Sequence, residues 1–178
     1  PGALPTSTVT RRCYQPHGRV HLERRRTHAV AGGYRITDHA PGTEQVTLVG
    51  VGALMPEVLE AAAALEAQGV TTGVVCLTSP DLVYRSWSAR GRTRHTSDPY
   101  AASGIADILF PTTAPAPLVT VLDGHPHTLS FLAALRGDAI SCLGVTEFGQ
   151  SSDLHDAYQI HGIDTASIVD AALTVSGR

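Results

Sequence analysis

From about residue 33 onward, short apolar runs rich in β-branched residues alternate with stretches whose apolar positions recur at helical spacing. Gly33-Tyr34-Arg35-Ile36-Thr37 alternates its faces and is closed by the Ala40-Pro41-Gly42 turn signal, which predicts a strand. Val46-Thr47-Leu48-Val49-Gly50-Val51 is a second run. Leu54, Val58, Ala62 and Leu65 follow at helical spacing, with Gly69 where a helix-ending glycine belongs. Thr72 to Leu77 predicts another strand, and Ser79-Pro80 an N-cap and first-turn proline for a helix through Leu82 and Trp87. Residues 89–99 are polar and predict an exposed loop. A helical stretch near Ile105 to Phe110 stops at Pro111, and Pro115 and Pro117 lead into a strand from Leu118 to Leu122. Thr128 to Leu135 predicts a helix with Leu129, Leu132 and Leu135 on one side. Ile140 to Leu143 is the last strand, and Ile168, Ala171 and Ala172 line the closing helix.

Strands alternating with helices imply a mostly parallel sheet covered on both faces, because parallel neighbours need crossover connections. Such a fold places its functional loops at the carboxyl ends of the strands. Here those ends are Gly50-Val51-Gly52, Thr78-Ser79, Asp123-Gly124-His125 and Val145-Thr146-Glu147.

The first 28 residues lack this order. Pro1, Gly2, Pro5, Pro16 and Gly18 interrupt them, and the only element suggested is a short strand at Arg19-Val20-His21-Leu22. Residues 1–30 are therefore expected to be a basic arm or the tail of a preceding domain, and residues 31–178 one domain. Charge divides the same way. Residues 1–40 hold seven Arg against Glu23 and Asp38, a balance of +5, while the rest hold six Arg against fourteen acids, a balance of −8. A basic arm raises nucleic-acid binding. However, no aromatic residues interleave Arg24-Arg25-Arg26 to stack bases, so a solvated or partner-facing segment is the expectation.

At 178 residues there is room for one ordinary core. No apolar run is long enough to cross a bilayer, and the first residues show no apolar stretch of the kind expected in a secretory signal. Cys13, Cys76 and Cys142 are odd in number and far apart, which suggests reduced thiols in a cytoplasmic protein.

Four places could carry chemistry. Gly50-Val51-Gly52-Ala53-Leu54-Met55 follows a strand and opens a helix, but Met55 stands where a dinucleotide fingerprint has its third glycine. No acidic residue ends the next strand to hold a ribose, so close helix–strand packing is the better explanation. Asp123-Gly124-His125-Pro126-His127 is the densest loop. Two imidazoles could transfer protons or bind a metal, but a metal needs further ligands, and a tight turn with a helix entry explains the same residues. Glu147 ends a strand before Phe148-Gly149-Gln150-Ser151. Ser151 has no His–Asp pair placed to activate it, and Ser151 or Ser152 reads as the N-cap of a helix carrying Leu154 and Tyr158. Asp153 and Asp156 would then occupy its first turn, while His155 and His161, six apart, do not share a face. Asp123, His125, His127, Glu147, Phe148 and Gln150 are the candidate interface or ligand loop, with no catalytic, cofactor or metal residue assigned.

Taken in order, these segments resemble a known domain. Gly33 to Asp38, Val46 to Gly52, Val74 to Ser79 and Leu118 to Asp123 lead to the Phe148-Gly149-Gln150-Ser151 loop and the His161-Gly162-Ile163-Asp164 turn. This series looks like the C-terminal domain shared by transketolases and 2-oxo acid dehydrogenases. The nearest likeness is to the homodimeric-type pyruvate dehydrogenase decarboxylating component and its transketolase-like relatives. It covers about residues 30 to 176. The resemblance implies a three-layer α/β fold around a five-stranded, mostly parallel sheet with one antiparallel edge strand. It also implies a role in dimerisation and active-site architecture, and in the dehydrogenases contact with the acyltransferase core. Thiamin diphosphate and Mg would belong to the parent enzyme and be held by other domains. Asp123-Gly124 is preceded by Leu122 and the chain contains no Asn, so the family's cofactor motif is not matched. The expectation is an accessory domain that is inactive alone and works beside other domains or subunits, with no nucleic acid or membrane as partner. The alternative is a free-standing small-molecule-binding module using the loops near His125 and Glu147.

Overall fold

The computed structural model describes residues 18–37, 39–40, 42–91, 103–147 and 152–178. Its centre is a five-stranded sheet in which β1 (Gly33–Thr37), β2 (Val46–Val51), β3 (Thr72–Leu77), β4 (Leu118–Val121) and β5 (Ile140–Leu143) lie in the order β1-β3-β2-β4-β5. The pairs β2–β3, β2–β4 and β4–β5 are parallel, and β1 joins β3 antiparallel at the edge. The mixed three-layer sheet expected from the sequence is what forms.

The central strands are apolar on both sides because both sides are covered. On one face Val46, Leu48, Val74, Val119 and Val121 pack with α2 (Met55–Ala67) and α7 (Thr165–Val175), through Val58, Ala61, Leu65, Ile168 and Ala172. On the other, Val49, Val75, Leu77 and Leu118 meet α3 (Pro80–Ser88), α4 (Ile105–Leu109) and a 3-10 segment, Pro126–Leu132, that runs into α5 (Ala133–Arg136). Leu129, Leu132 and Leu135 are all buried there, as their common side predicts, although most of that element is 3-10 and not the α-helix expected. The Schellman pairs Gly69 N–H to Glu66 O and Val70 N–H to Leu65 O close α2, with Gly69 at φ +78°.

Two expectations are corrected. Arg19 to Leu22 is not a strand, since Gly18–Ala31 forms helix α1. The breakers Pro16 and Gly18 lie at or before its start, and Leu22-Glu23-Arg24-Arg25-Arg26 is a run of good helix formers with no glycine or proline up to Ala31. α1 docks on the sheet edge: Arg25 donates to Ile36 O at 3.1 Å, Thr78 Oγ1 to Ala29 O at 2.5 Å, and the Thr78 and Ser79 amides to Gly32 O. The N-cap of α6 (Leu154–Ile160) is Asp153, not a serine, and its Oδ1 accepts the Asp156 amide at 3.0 Å. A carboxylate offers that amide a charged acceptor at the positive end of the helix. Ser79 does occupy the N-cap position of α3, but without a side-chain bond.

Cys76 is buried and Cys142 half-buried, both as free thiols, and Cys13 lies outside the described residues. Among the described residues no helix is long and apolar enough to cross a membrane.

Candidate functional site

The carboxyl ends of the parallel strands converge on one rim. β2 ends at Val51 and turns through the 3-10 segment Gly52–Leu54 into α2. β4 ends at Val121 and leads into the Asp123-Gly124 bend, and β5 ends at Leu143, just before Gly144. Gly50 is needed for packing: a Cβ there would lie 2.6 Å from Met55 Sδ and 3.0 Å from a Val58 methyl. The first turn of α2 contains Glu57, whose carboxylate accepts the Thr165 amide at 3.0 Å and the Thr165 hydroxyl at 2.6 Å. That carboxylate bridges the starts of α2 and α7.

The Asp123–His127 loop is anchored from β5. Val145 N–H donates to Gly124 O at 2.8 Å. Gly144 comes so close that a Cβ would fall 2.4 Å from Gly124 O and 3.0 Å from Pro126 N. No side chain larger than hydrogen fits there without displacing backbone. The clamp turns His125 and His127 outward as neighbours, with their Nδ1 atoms 2.6 Å apart and ring centroids 4.6 Å apart at 63°. His125 is the N-cap of the 3-10 segment, and its Nδ1 also receives the His127 amide at 3.3 Å. Asp123, His125, His127 and Glu147 are all exposed, while Phe148 and Gln150 lie outside the described residues. The structure thus brings His125 and His127 into direct contact and puts Glu147 four residues beyond β5. Among the described residues no three His, Cys, Asp or Glu side chains converge as a metal cage.

Tyr158, expected from the sequence only as a helix position, and Glu57, not singled out there, belong to the same rim. Tyr158 packs against the α2/α7 core, and its phenol is pushed above the ordinary tyrosine range, first by burial and then by the negative charges of Asp123 and Glu57. Only Leu154-to-Tyr158 spacing marked Tyr158 in the sequence. Nothing local joins Glu57 to Thr165, 108 positions away. A second missed feature is on the α3 side, where Tyr84 meets Trp87 and Phe131 edge-on and Trp87 and Phe131 lie tilted to each other, with centroids 5.4 to 6.3 Å apart. Its members come from α3 and the 3-10 segment, so the two halves meet only in the fold.

At the opposite end of the sheet, Arg35, His39, Gly42, Glu44, Pro111 and Thr113 border a small cleft of about 160 Å³. Its polar floor is already engaged: Arg35 pairs with Glu44 and donates to Leu109 O at 2.7 Å, and Glu44 accepts Thr47 Oγ1 at 3.0 Å.

With this geometry in view, residues 32–164 match the family described as the transketolase-like TK C-terminal domain. The chain belongs to that family. Solved transketolases share the fold. A split-gene transketolase described as an inactive beta4 tetramer has a TM-score of 0.55 at 21% identity over 83% of this chain and 42% of that one. The Leishmania mexicana transketolase scores 0.58 at 19% identity over 92% and 20%, and the Campylobacter jejuni enzyme 0.57 at 19% over 81% and 18%. The transketolase C-terminal-like chain thus spans less than half the length of these proteins. No curated protein matches it.

Proposed function

We propose that this domain is the C-terminal assembly part of a thiamin-diphosphate-dependent enzyme, either a transketolase or a 2-oxo acid dehydrogenase resembling the pyruvate dehydrogenase decarboxylating component. In this reading it supports dimerisation and the architecture of an active centre built by other domains or subunits, and is inactive alone in the cytoplasm. Membership in the transketolase-like C-terminal family carries the proposal. The fold shared with a split-gene transketolase solved as an inactive tetramer supports inactivity of the isolated part. Residues 31–178 would form the domain, with residues 1–30 as the segment leading in from what precedes. A dehydrogenase parent would add contact with an acyltransferase core.

The donor chemistry of the rim fits this division of labour. Mg²⁺ with a diphosphate takes oxygen ligands in an octahedron, whereas the side chains this loop brings together are two imidazoles. Asp123 and Glu147 add carboxylates to the rim, but among the described residues no three such side chains converge as Mg²⁺ ligands, so no step of that cofactor's chemistry is assigned to them. Asp123, His125, His127 and Glu147, with Phe148 and Gln150 following in sequence, would instead face the catalytic domains. Leu154 and Ile160, large apolar residues left exposed on α6, extend that surface.

The test is turnover with thiamin diphosphate and Mg²⁺ by the chain alone and mixed with candidate partner polypeptides. Activity appearing only on mixing is expected. Turnover by the chain alone overturns the reading, and a small molecule bound tightly by the lone chain favours a free-standing binding module instead.

A further inference from the structure

Most exposed histidines of a protein are held only by solvent, but His125 and His127 are held by the fold. Pro126 between them has its φ set by its ring. The Thr128 amide donates to His125 O at 3.1 Å, and Ser130 Oγ to His127 O at 2.7 Å. Val145 N–H and the close approach of Gly144 fasten Gly124 from the neighbouring strand. Against this frame both rings turn the same nitrogen inward, with Nδ1 to Nδ1 at 2.6 Å.

We propose that His125 and His127 form a bidentate site, through both Nδ1 atoms, for a divalent transition cation of the Cu²⁺ or Ni²⁺ class. Two imidazole nitrogens this close need a proton or a cation between them. In the metal-free pair that is one proton; because the His127 amide already donates to His125 Nδ1, the tautomer that satisfies both contacts carries it on His127 Nδ1. A cation replaces that proton with no net release if His127 shifts to its other neutral tautomer, leaving both rings protonated at Nε2. Neutral imidazole is the ligand that suits these metals, whereas Mg²⁺ and Ca²⁺ prefer oxygen. The bite angle narrows the choice. With metal–nitrogen bonds of about 2.0–2.1 Å, the observed separation subtends roughly 80°. A square-planar cis pair then needs the nitrogens to part by only about 0.3 Å, and a tetrahedral pair by roughly 0.7 Å. Both rings are exposed, so the remaining positions are open to water or to a ligand from another polypeptide. The frame lowers the cost of binding because the loop is already ordered.

The experiment is titration of the full chain with CuCl₂ against glycine as competitor, followed by calorimetry and by electron paramagnetic resonance. Wild type is expected to take up one equivalent with hyperfine structure from two nitrogens. His125→Ala and His127→Ala should each weaken binding by roughly tenfold or more, while His155→Ala, on α6 beside Gln159, should leave it unchanged. Circular dichroism confirms that the variants fold, as expected for exposed side chains. Absence of saturable binding by wild type overturns the proposal. So does loss in only one of the two loop variants, which means a single ligand, or unchanged affinity in both.

Discussion

The two ends of the sheet treat their polar groups in opposite ways. At the amino ends of the strands the charges are locked to one another. Arg136, with its side chain 3% exposed, pairs with Asp138 at 9% and donates to Ala114 O and Ala116 O, both at 2.8 Å. Arg35 and Glu44 repeat the arrangement beside β1 and β2. At the carboxyl ends Asp123, His125, His127 and Glu147 are exposed, and the order there comes from backbone contacts around Gly124 and Gly144. The lesson is that burial of paired charge sets stability at one end, while the other end holds a rigid loop whose side chains remain available.

The sharpest break in that contrast is Arg136→Ala. It strands the Asp138 carboxylate and two part-buried carbonyls, so a loss of about 3–5 kcal/mol is expected, read from the midpoint of chemical denaturation. Next is Gly144→Ala at the other end. Its methyl meets Gly124 O, so a cost of roughly 1–3 kcal/mol is expected, together with altered imidazole resonances of His125 and His127 by NMR. Unchanged resonances would mean that β5 does not hold the loop. Glu57→Ala removes the acceptor of Thr165, and about 1 kcal/mol should be lost, measured by thermal unfolding. His125→Ala with His127→Ala should move stability by no more than about 0.5 kcal/mol, the small effect that separates an available site from a structural one.

pH gives a further contrast along the sheet edge. Tyr34 on β1 lies opposite Cys76 on β3. Burial first, then the hydrogen bond to the Cys76 thiol, pushes its phenol above the usual tyrosine range. Burial likewise raises Cys76. A raised folded value means that the folded state keeps its proton longer. The stabilisation is complete below the unfolded values, about 8.5 for cysteine and 10 for tyrosine, and is lost as pH rises through the folded ones. Tyr34→Phe should therefore flatten the alkaline fall in stability, and absorbance titration should show Tyr34 and Tyr158 ionising late.

Much of the fold was legible because its signals are local. β-branched runs set the strands, Gly69 ends α2, and the small residue Gly50 marks tight packing on Met55 and Val58. The helix α1 was missed because its arginine-rich face has no apolar stripe. Its docking depends on Arg25 reaching Ile36 O and on Thr78 reaching Ala29 O. The N-cap of α6 was misplaced by one or two residues because serine and aspartate compete for that role within a single turn.

The sequence by itself determined the alternation of strands and helices, the likeness to the transketolase C-terminal domain and the loop richest in histidine. The alternation and the loop follow from periodicity and short-range turn chemistry, and the likeness from the order in which the segments resemble that domain. The tertiary structure alone decided that Glu57 caps α7, that Arg136 and Asp138 seal the amino end, and that two imidazoles face each other at the carboxyl end. Each of these depends on distances between strand ends and helix starts, which exist only once the sheet has wound its crossovers into place.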